Sequence, residues 1–269
     1  MDDLGVGRAN PYNAQGIIDI YTGLPRQWAY SPKFTGTKLI ASAAVQLTGR
    51  RRQDYAAAEA ATGVVHNPRR TVWHHVYDYN DPALGIGNCT MQLVTWANHL
   101  DTLPHAGGCK LYTAVNGGRY KVENPNSPAG CESLRELEAL EAPECPRYSG
   151  RELDEFCLRT GLELSPTLRA LYSGSRRLSR TGLQAAARQD FWLDAIFPLY
   201  TTDGSASMEN VMLAVQGRIA APMFKGARAV AGDACGDIFF ADDIDNIWFY
   251  DHEQDSYLEV DADLRQLAE

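Results

Sequence analysis

Apolar and polar positions change period several times along the chain, and each change marks an element. LIASAAVQL (39–47) is a short apolar run of strand length. RRRQDYAAAEAATG then supplies good helix formers closed by Gly63, which predicts a helix over 51–62. HNPRR is a turn, TVWHHVYDY is a strand rich in Thr, Val, Trp and Tyr, NDPALGIGN is a loop, and TMQLVTW is a second strand. ANHLDTL forms a short helix stopped by Pro104. Neighbouring side chains on a strand point to opposite faces, so His74 and His75 cannot share one.

Residues 1–36 show no sustained period and read as loop, and NPNSPAG (124–130) has a linker's composition. Beyond it a helix is expected around SLRELEAL. Ser149 can cap GRELDEFCLRTG, and Ser165 with Pro166 starts PTLRALYSG. SMENVMLAVQG is a further helix, DIFFAD and NIWFYD are strands around the turn DIDN, and VDADLRQLAE closes as a short helix. The fold class is therefore α+β, and 269 residues suit two domains at about 150 residues each. The expected division is 1–125, a linker with a short helix over 126–148, and 149–269.

Charge sharpens that division. Residues 1–125 hold 12 Lys and Arg against 9 Asp and Glu, while the remainder holds 13 against 25. A mildly basic module suits a polyanion, and a strongly acidic one suits a basic protein surface; solvated faces with chance asymmetry are the plainer alternative. Six scattered cysteines form no C-x-x-C pair, which speaks against a zinc ribbon or disulfide scaffold and fits thiols in a reducing compartment. No run approaches a membrane span and MDDLGVGRANPYN is not a secretory signal, so a cytoplasmic protein without membrane contact is expected, delivered elsewhere only by a separate system.

Five of the six histidines (His66, His74, His75, His99, His105) fall within 40 residues. Clustered imidazoles are what a nitrogen-ligated divalent ion needs, although a single strand histidine is more often simply packed. On opposite faces the tandem can divide its labour: one ring faces a metal, its neighbour a water or substrate. His99 on the short helix could close over the same spot. In the acidic half, Asp237, Asp242, Asp243 and Asp245 lack EF-hand spacing and read as a solvated turn. Trp192, Trp248, Phe239, Phe240 and Phe249 read as core, and His252, between Asp251 and Glu253, reads as structural.

VQLTGRRRQDYAAAEAATG, TVWHHVYDY and TMQLVTWANHLDTLPHAGG together resemble the WHH nucleases, a branch of the HNH (ββα-metal) endonucleases found as toxin modules of bacterial polymorphic toxins. The resemblance covers about residues 37–113. It implies hydrolysis of nucleic acid phosphodiesters, DNA ahead of RNA, with one divalent ion (Zn, Mg or Ni). It places His74, His99 and His105 as metal ligands and His75 as general base. Arg50, Arg51, Arg52, Arg69 and Arg70 are candidates to hold the phosphate backbone, or form a plain solvated basic surface. The polar residue in the middle of the HNH motif is not an evident Asn here, which leaves Thr90 or Asn88 to hold the loop bearing the base.

GRELDEFCLRTGLELSPTLRALY and, downstream, GDACGDIFFADDIDNIWFYDHEQDSYLEV are similar to the SUKH superfamily over about residues 149–269. That family is known for immunity proteins that neutralise toxin nucleases, and it carries no catalytic residues. The two resemblances imply a nuclease joined to an immunity-like domain that contacts it within the chain or in a cognate partner. The alternative is a SUKH-type binding protein whose nuclease module is inactive. A zinc-stabilised structural domain is a third.

Overall fold

The computed structural model describes residues 29–30, 33–103, 105–117, 120, 142–188, 191–203, 205–215, 226–253 and 256–269. The expected linker at 124–130 and the helix around SLRELEAL lie outside the described residues.

Among the described residues the first half builds β1 (Ala29–Tyr30), β2 (Ala41–Gln46), α1 (Arg51–Thr62), β3 (Thr71–His75), β4 (Asn88–Thr95), α2 (Trp96–Leu100), β5 (His105–Ala106) and α3 (Gly108–Asn116). β2, β4 and β3 form an antiparallel sheet in that order, with His74 opposite Gln92 and His75 opposite Met91. β1 pairs β5 in parallel. Gly63 ends α1 in the left-handed region, as its position in the sequence predicts.

The second half supplies α4 (Gly150–Thr160), α5 (Pro166–Ser173), α6 (Arg180–Arg188), β6 (Ala195–Ile196), α7 (Met208–Val215), β7 (Arg228–Gly232), β8 (Ile238–Ala241), β9 (Asn246–Asp251), β10 (Ser256–Asp263) and α8 (Leu264–Leu267). Its five strands form one antiparallel sheet in the order β10-β9-β8-β7-β6, so the α+β class holds. Ser149 caps α4 in a full capping box, and Ser165 caps α5 with proline in its first turn.

Alternation along the strands assigns their faces. On β8 and β9, Phe239, Ala241, Ile247 and Phe249 pack beneath Leu153, Phe156, Leu168 and Leu171 of α4 and α5. Ile238, Phe240 and Tyr250 point the other way, into a core that also holds Phe34, Val72, Val94, Trp96 and Leu100 from the first half. The two halves thus share a hydrophobic core. Trp96 anchors it: its ring meets Phe197 edge-on at 5.5 Å, and its indole N–H donates to the Pro68 carbonyl at 2.9 Å. On the far face of β3, Trp73 packs with Tyr55, Ala58, Met91 and Cys109.

Backbone bonds cross the same boundary. β3 is the edge strand of its sheet, and its Trp73 N–H donates at 2.9 Å to the carbonyl of Ala234, in the turn between β7 and β8. The second half therefore covers an edge that would otherwise offer unpaired amides. No helix among the described residues is long and apolar enough to cross a membrane.

A shared core predicts shared unfolding. Phe240→Ala should cost about 3–5 kcal/mol, the usual loss for a buried aromatic. Wild type and variant should each unfold in urea in one transition, coincident by tryptophan fluorescence and far-UV circular dichroism. Two separate transitions would show halves that are stable apart.

Candidate metal centre

The tandem histidines end β3 with both faces of the strand covered, and each is only 1% exposed. His74 looks toward the shared core. Its ring centroid lies 5.0 Å from Phe34, 5.6 Å from His99 and 4.8 Å from His105, and the His99 and His105 rings are 5.0 Å apart. Each ring is carried by a different element. His99 sits on α2, whose N-cap Thr95 accepts from the Asn98 N–H. His105 sits on β5, and its Nδ1 lies 3.1 Å from Thr102 Oγ1 and 3.3 Å from the Thr102 carbonyl, which turns Nε2 toward the cluster.

One ligand atom from each of His74, His99 and His105 falls within 4.8 Å of the others. Both ring nitrogens of His99 and Nε2 of His105 are buried without a hydrogen-bond partner among the described residues. Buried polar atoms left so cost roughly 1–3 kcal/mol each, and a bound cation would answer one nitrogen of each ring. Burial, reinforced by the neighbouring imidazoles, holds His99 and His105 well below the usual histidine range, so both are the neutral donors that ligation needs. The group could therefore hold a metal ion.

His75 points the opposite way, as alternation requires. Its Nδ1 lies 3.3 Å from Glu253 Oε1 and its Nε2 3.8 Å from Asp54 Oδ2. Burial alone would depress this imidazole, but the two carboxylates outweigh it and raise its pKa to about 9. Asp54 is fixed in turn: Oδ1 accepts from the Thr48 N–H at 2.8 Å and from its hydroxyl at 2.9 Å, and Oδ2 accepts from the Tyr120 hydroxyl. Glu253 accepts from the Cys109 N–H at 3.0 Å, at the N-terminal end of α3. Burial would raise this carboxyl, yet His75, His252 and Arg51 hold it well below the usual carboxylate range. His75, Cys109 and Glu253 form a second buried group that could hold a metal, although its His and Glu already satisfy one another.

Two glycines allow this closeness. A Cβ on Gly236, where φ is +92°, would overlap the His99 ring, and one on Gly107 would fall 2.6 Å from the His75 carbonyl and 2.7 Å from the Glu253 carboxyl.

The basic residues of the first half meet the acids of the second. Arg51 pairs with Asp237 at 3.2 Å and Asp251 at 3.0 Å. Arg52 pairs with Asp194 at 2.8 Å and stacks on Trp192, Arg70 pairs with Asp203 at 2.7 Å, and Arg69 donates to the Glu144 carbonyl at 2.6 Å. Arg50 lies beside them at the start of α1. His66 stands apart from the cluster, with Nδ1 2.5 Å from Glu59. The loop between β3 and β4 is held by Asp78, which accepts from the Thr90 N–H at 2.8 Å, and by Asn88, which donates to the Leu84 carbonyl at 2.7 Å.

Sequence reasoning assigned no role to Asp54, Cys109, Tyr120, Asp251 or Glu253. It placed Asp237 in a solvated turn, whereas Asp237 is fully buried. Asp242 and Asp245 do organise a turn: Asp242 accepts from the Asn246 N–H, and Asp245 from the Ser165 and Thr167 hydroxyls. The histidine and cysteine cluster offers no disulfide, and Cys89, Cys109, Cys145, Cys157 and Cys235 are free thiols.

No protein-family model matches the chain, and searches of curated proteins and of solved structures find no match either. The two resemblances rest on the residues that carry them.

Metal should stabilise the fold. Zn²⁺ at a hundredfold excess over its Kd should add about 2.7 kcal/mol to the unfolding free energy of the chelator-stripped protein. Calorimetry should record the upward shift in Tm, and His99→Ala should abolish it. A shift unchanged in His99→Ala would place the ion elsewhere.

Proposed function

We propose that the chain is a metal-dependent endonuclease of the polymorphic-toxin type, held silent by an immunity-like second half. The observation that carries this reading is the division across β3: His74 joins two neutral, buried imidazoles, while His75 lies between two carboxylates on the other face. The donor set of three nitrogens suits Zn or Ni better than Mg, which prefers oxygen.

A divalent ion at such a site polarises a phosphoryl oxygen and stabilises the leaving oxygen. The chain supplies the rest. With Glu253 withdrawn, His75 would be the group placed to take a proton from water, and Asp54, anchored by Thr48 and Tyr120, would stabilise the imidazolium from the Nε2 side. His252 and Glu253 are consecutive, yet one touches the imidazole cluster and the other His75. The amide at the start of α3, which here receives the Glu253 carboxylate, is suited to a phosphate oxygen. Arg50, Arg51, Arg52, Arg69 and Arg70 would hold the flanking nucleic acid backbone once freed from their acidic partners.

Silence has a physical basis in the same contacts. A base held as a cation cannot accept a proton, and arginines paired with Asp194, Asp203, Asp237 and Asp251 cannot bind phosphate. The second half acts as a polyanion substitute, at the high effective concentration of a tethered partner.

Plasmid and RNA cleavage with Mg²⁺, Zn²⁺ or Ni²⁺ tests this in the full chain. Wild type should be nearly inert, and Glu253→Ala combined with His252→Ala, which clears the second half's side chains from both faces of β3, should release measurable cleavage. Adding His75→Ala should lower the released rate by about 10²–10⁴-fold, the usual contribution of a general base. If this double variant stays folded and binds metal but cuts neither DNA nor RNA, the chain is instead a binding protein whose nuclease module is inactive.

A further inference from the structure

The second half brings an imidazole of its own to the histidine cluster. His252 follows the end of β9 and is 1% exposed. Its ring lies 4.8 Å from that of His99 and 5.0 Å from that of His105, crossing them at 82° and 74°. A tetrahedral ion with metal–nitrogen bonds of about 2.1 Å sets imidazole centroids about 5.2 Å from one another. The three separations among His74, His99 and His105 are 5.6, 4.8 and 5.0 Å; these are the rings whose donor atoms already converge, and His252 borders them through His99 and His105 at distances in the same range.

The orientation of His252 is fixed as a ligand's would be. Its Nδ1 lies 2.7 Å from Asp237 Oδ1, and the same oxygen accepts from the His252 backbone N–H at 3.0 Å. A carboxylate on one ring nitrogen sets the tautomer and leaves Nε2 as the donor to metal. Asp237 is fully buried and tied to Arg51, so the orienting carboxylate cannot swing away. The His99 ring it approaches has two buried nitrogens without a hydrogen-bond partner among the described residues. Plain packing would not bring imidazoles together around such atoms, because the His99 nitrogens and His105 Nε2 would go unanswered.

We propose that His252, oriented by Asp237, is a fourth ligand to the ion held by His74, His99 and His105, so that one ion ties the two halves together. The inference rests on the reading of those three histidines as the metal centre. It assigns the second half a role beyond covering the site: it fills the coordination position that a phosphate oxygen would otherwise take. Catalytic metal sites keep such a position open and structural ones close it. The same ion would thus be a fastener in the closed chain and a Lewis acid in the open one.

The test uses the full chain and no nucleic acid. X-ray absorption on the zinc-loaded wild type should count four imidazoles; three imidazoles with an oxygen ligand would overturn the proposal. Cobalt(II) in place of zinc should give the intense visible bands of a tetrahedral site. His252→Ala and His252→Gln should weaken those bands several-fold and lower metal affinity at least about tenfold. Bands and affinity unchanged in both folded variants would overturn the proposal too. A chain that counts four imidazoles and cleaves nothing when opened overturns the nuclease reading alone. One that cleaves and counts three overturns this inference alone, and one that binds no zinc overturns both.

Discussion

The Arg51 guanidinium is the point on which the two halves depend. It stands on the first turn of α1, nearly buried, and it pairs with Asp237, just before β8, and with Asp251 at the end of β9. A buried charge without a partner costs several kcal/mol, so α1 and the β8–β9 region must approach together or not at all. From that pairing the remainder follows. Asp237 positions His252, the end of β9 delivers Glu253 to His75, and the β7–β8 turn sets Gly236 against His99. Burial would favour neutral acids here, yet Arg51 and His252 keep Asp237 below the usual carboxylate range.

The local elements were legible because their signals are local. Gly63, Ser149, Ser165 with Pro166, and the Thr, Val, Trp and Tyr of TVWHHVYDY each act within a few residues, and the helices and strands start or stop beside them. The opposite facing of His74 and His75 follows from strand geometry alone. What alternation could not say is that both faces of β3 would be covered. A strand normally keeps its polar residues on one solvated face; β3 carries one histidine on each face, and both faces are closed.

The candidate site was legible only in its first half. His74, His99 and His105 do meet, and His66 does not, although spacing alone treated them alike. Asp54 and Tyr120 reach His75, and the Cys109 amide reaches Glu253, through α1, the chain beyond α3 and α3 itself, at separations no periodicity encodes. His252, Glu253 and Asp237 lie far downstream in a segment whose acids resemble an ordinary solvated turn. Their burial is a property of the fold, since a carboxylate next to a distant arginine has no local signature. The arginines show the reverse: their charge was evident, but their partners were not.

The pairing of Trp73 with Ala234 has a consequence in time. During synthesis the edge of β3 leaves the ribosome about 160 residues before the carbonyl that completes it, an interval of roughly ten to thirty seconds at ordinary elongation rates. Throughout that interval the histidine-bearing half has neither its strand partner nor the far side of its shared core. The order of elements along the chain thus makes a newly made molecule most exposed, and least restrained, before the β7–β8 turn exists.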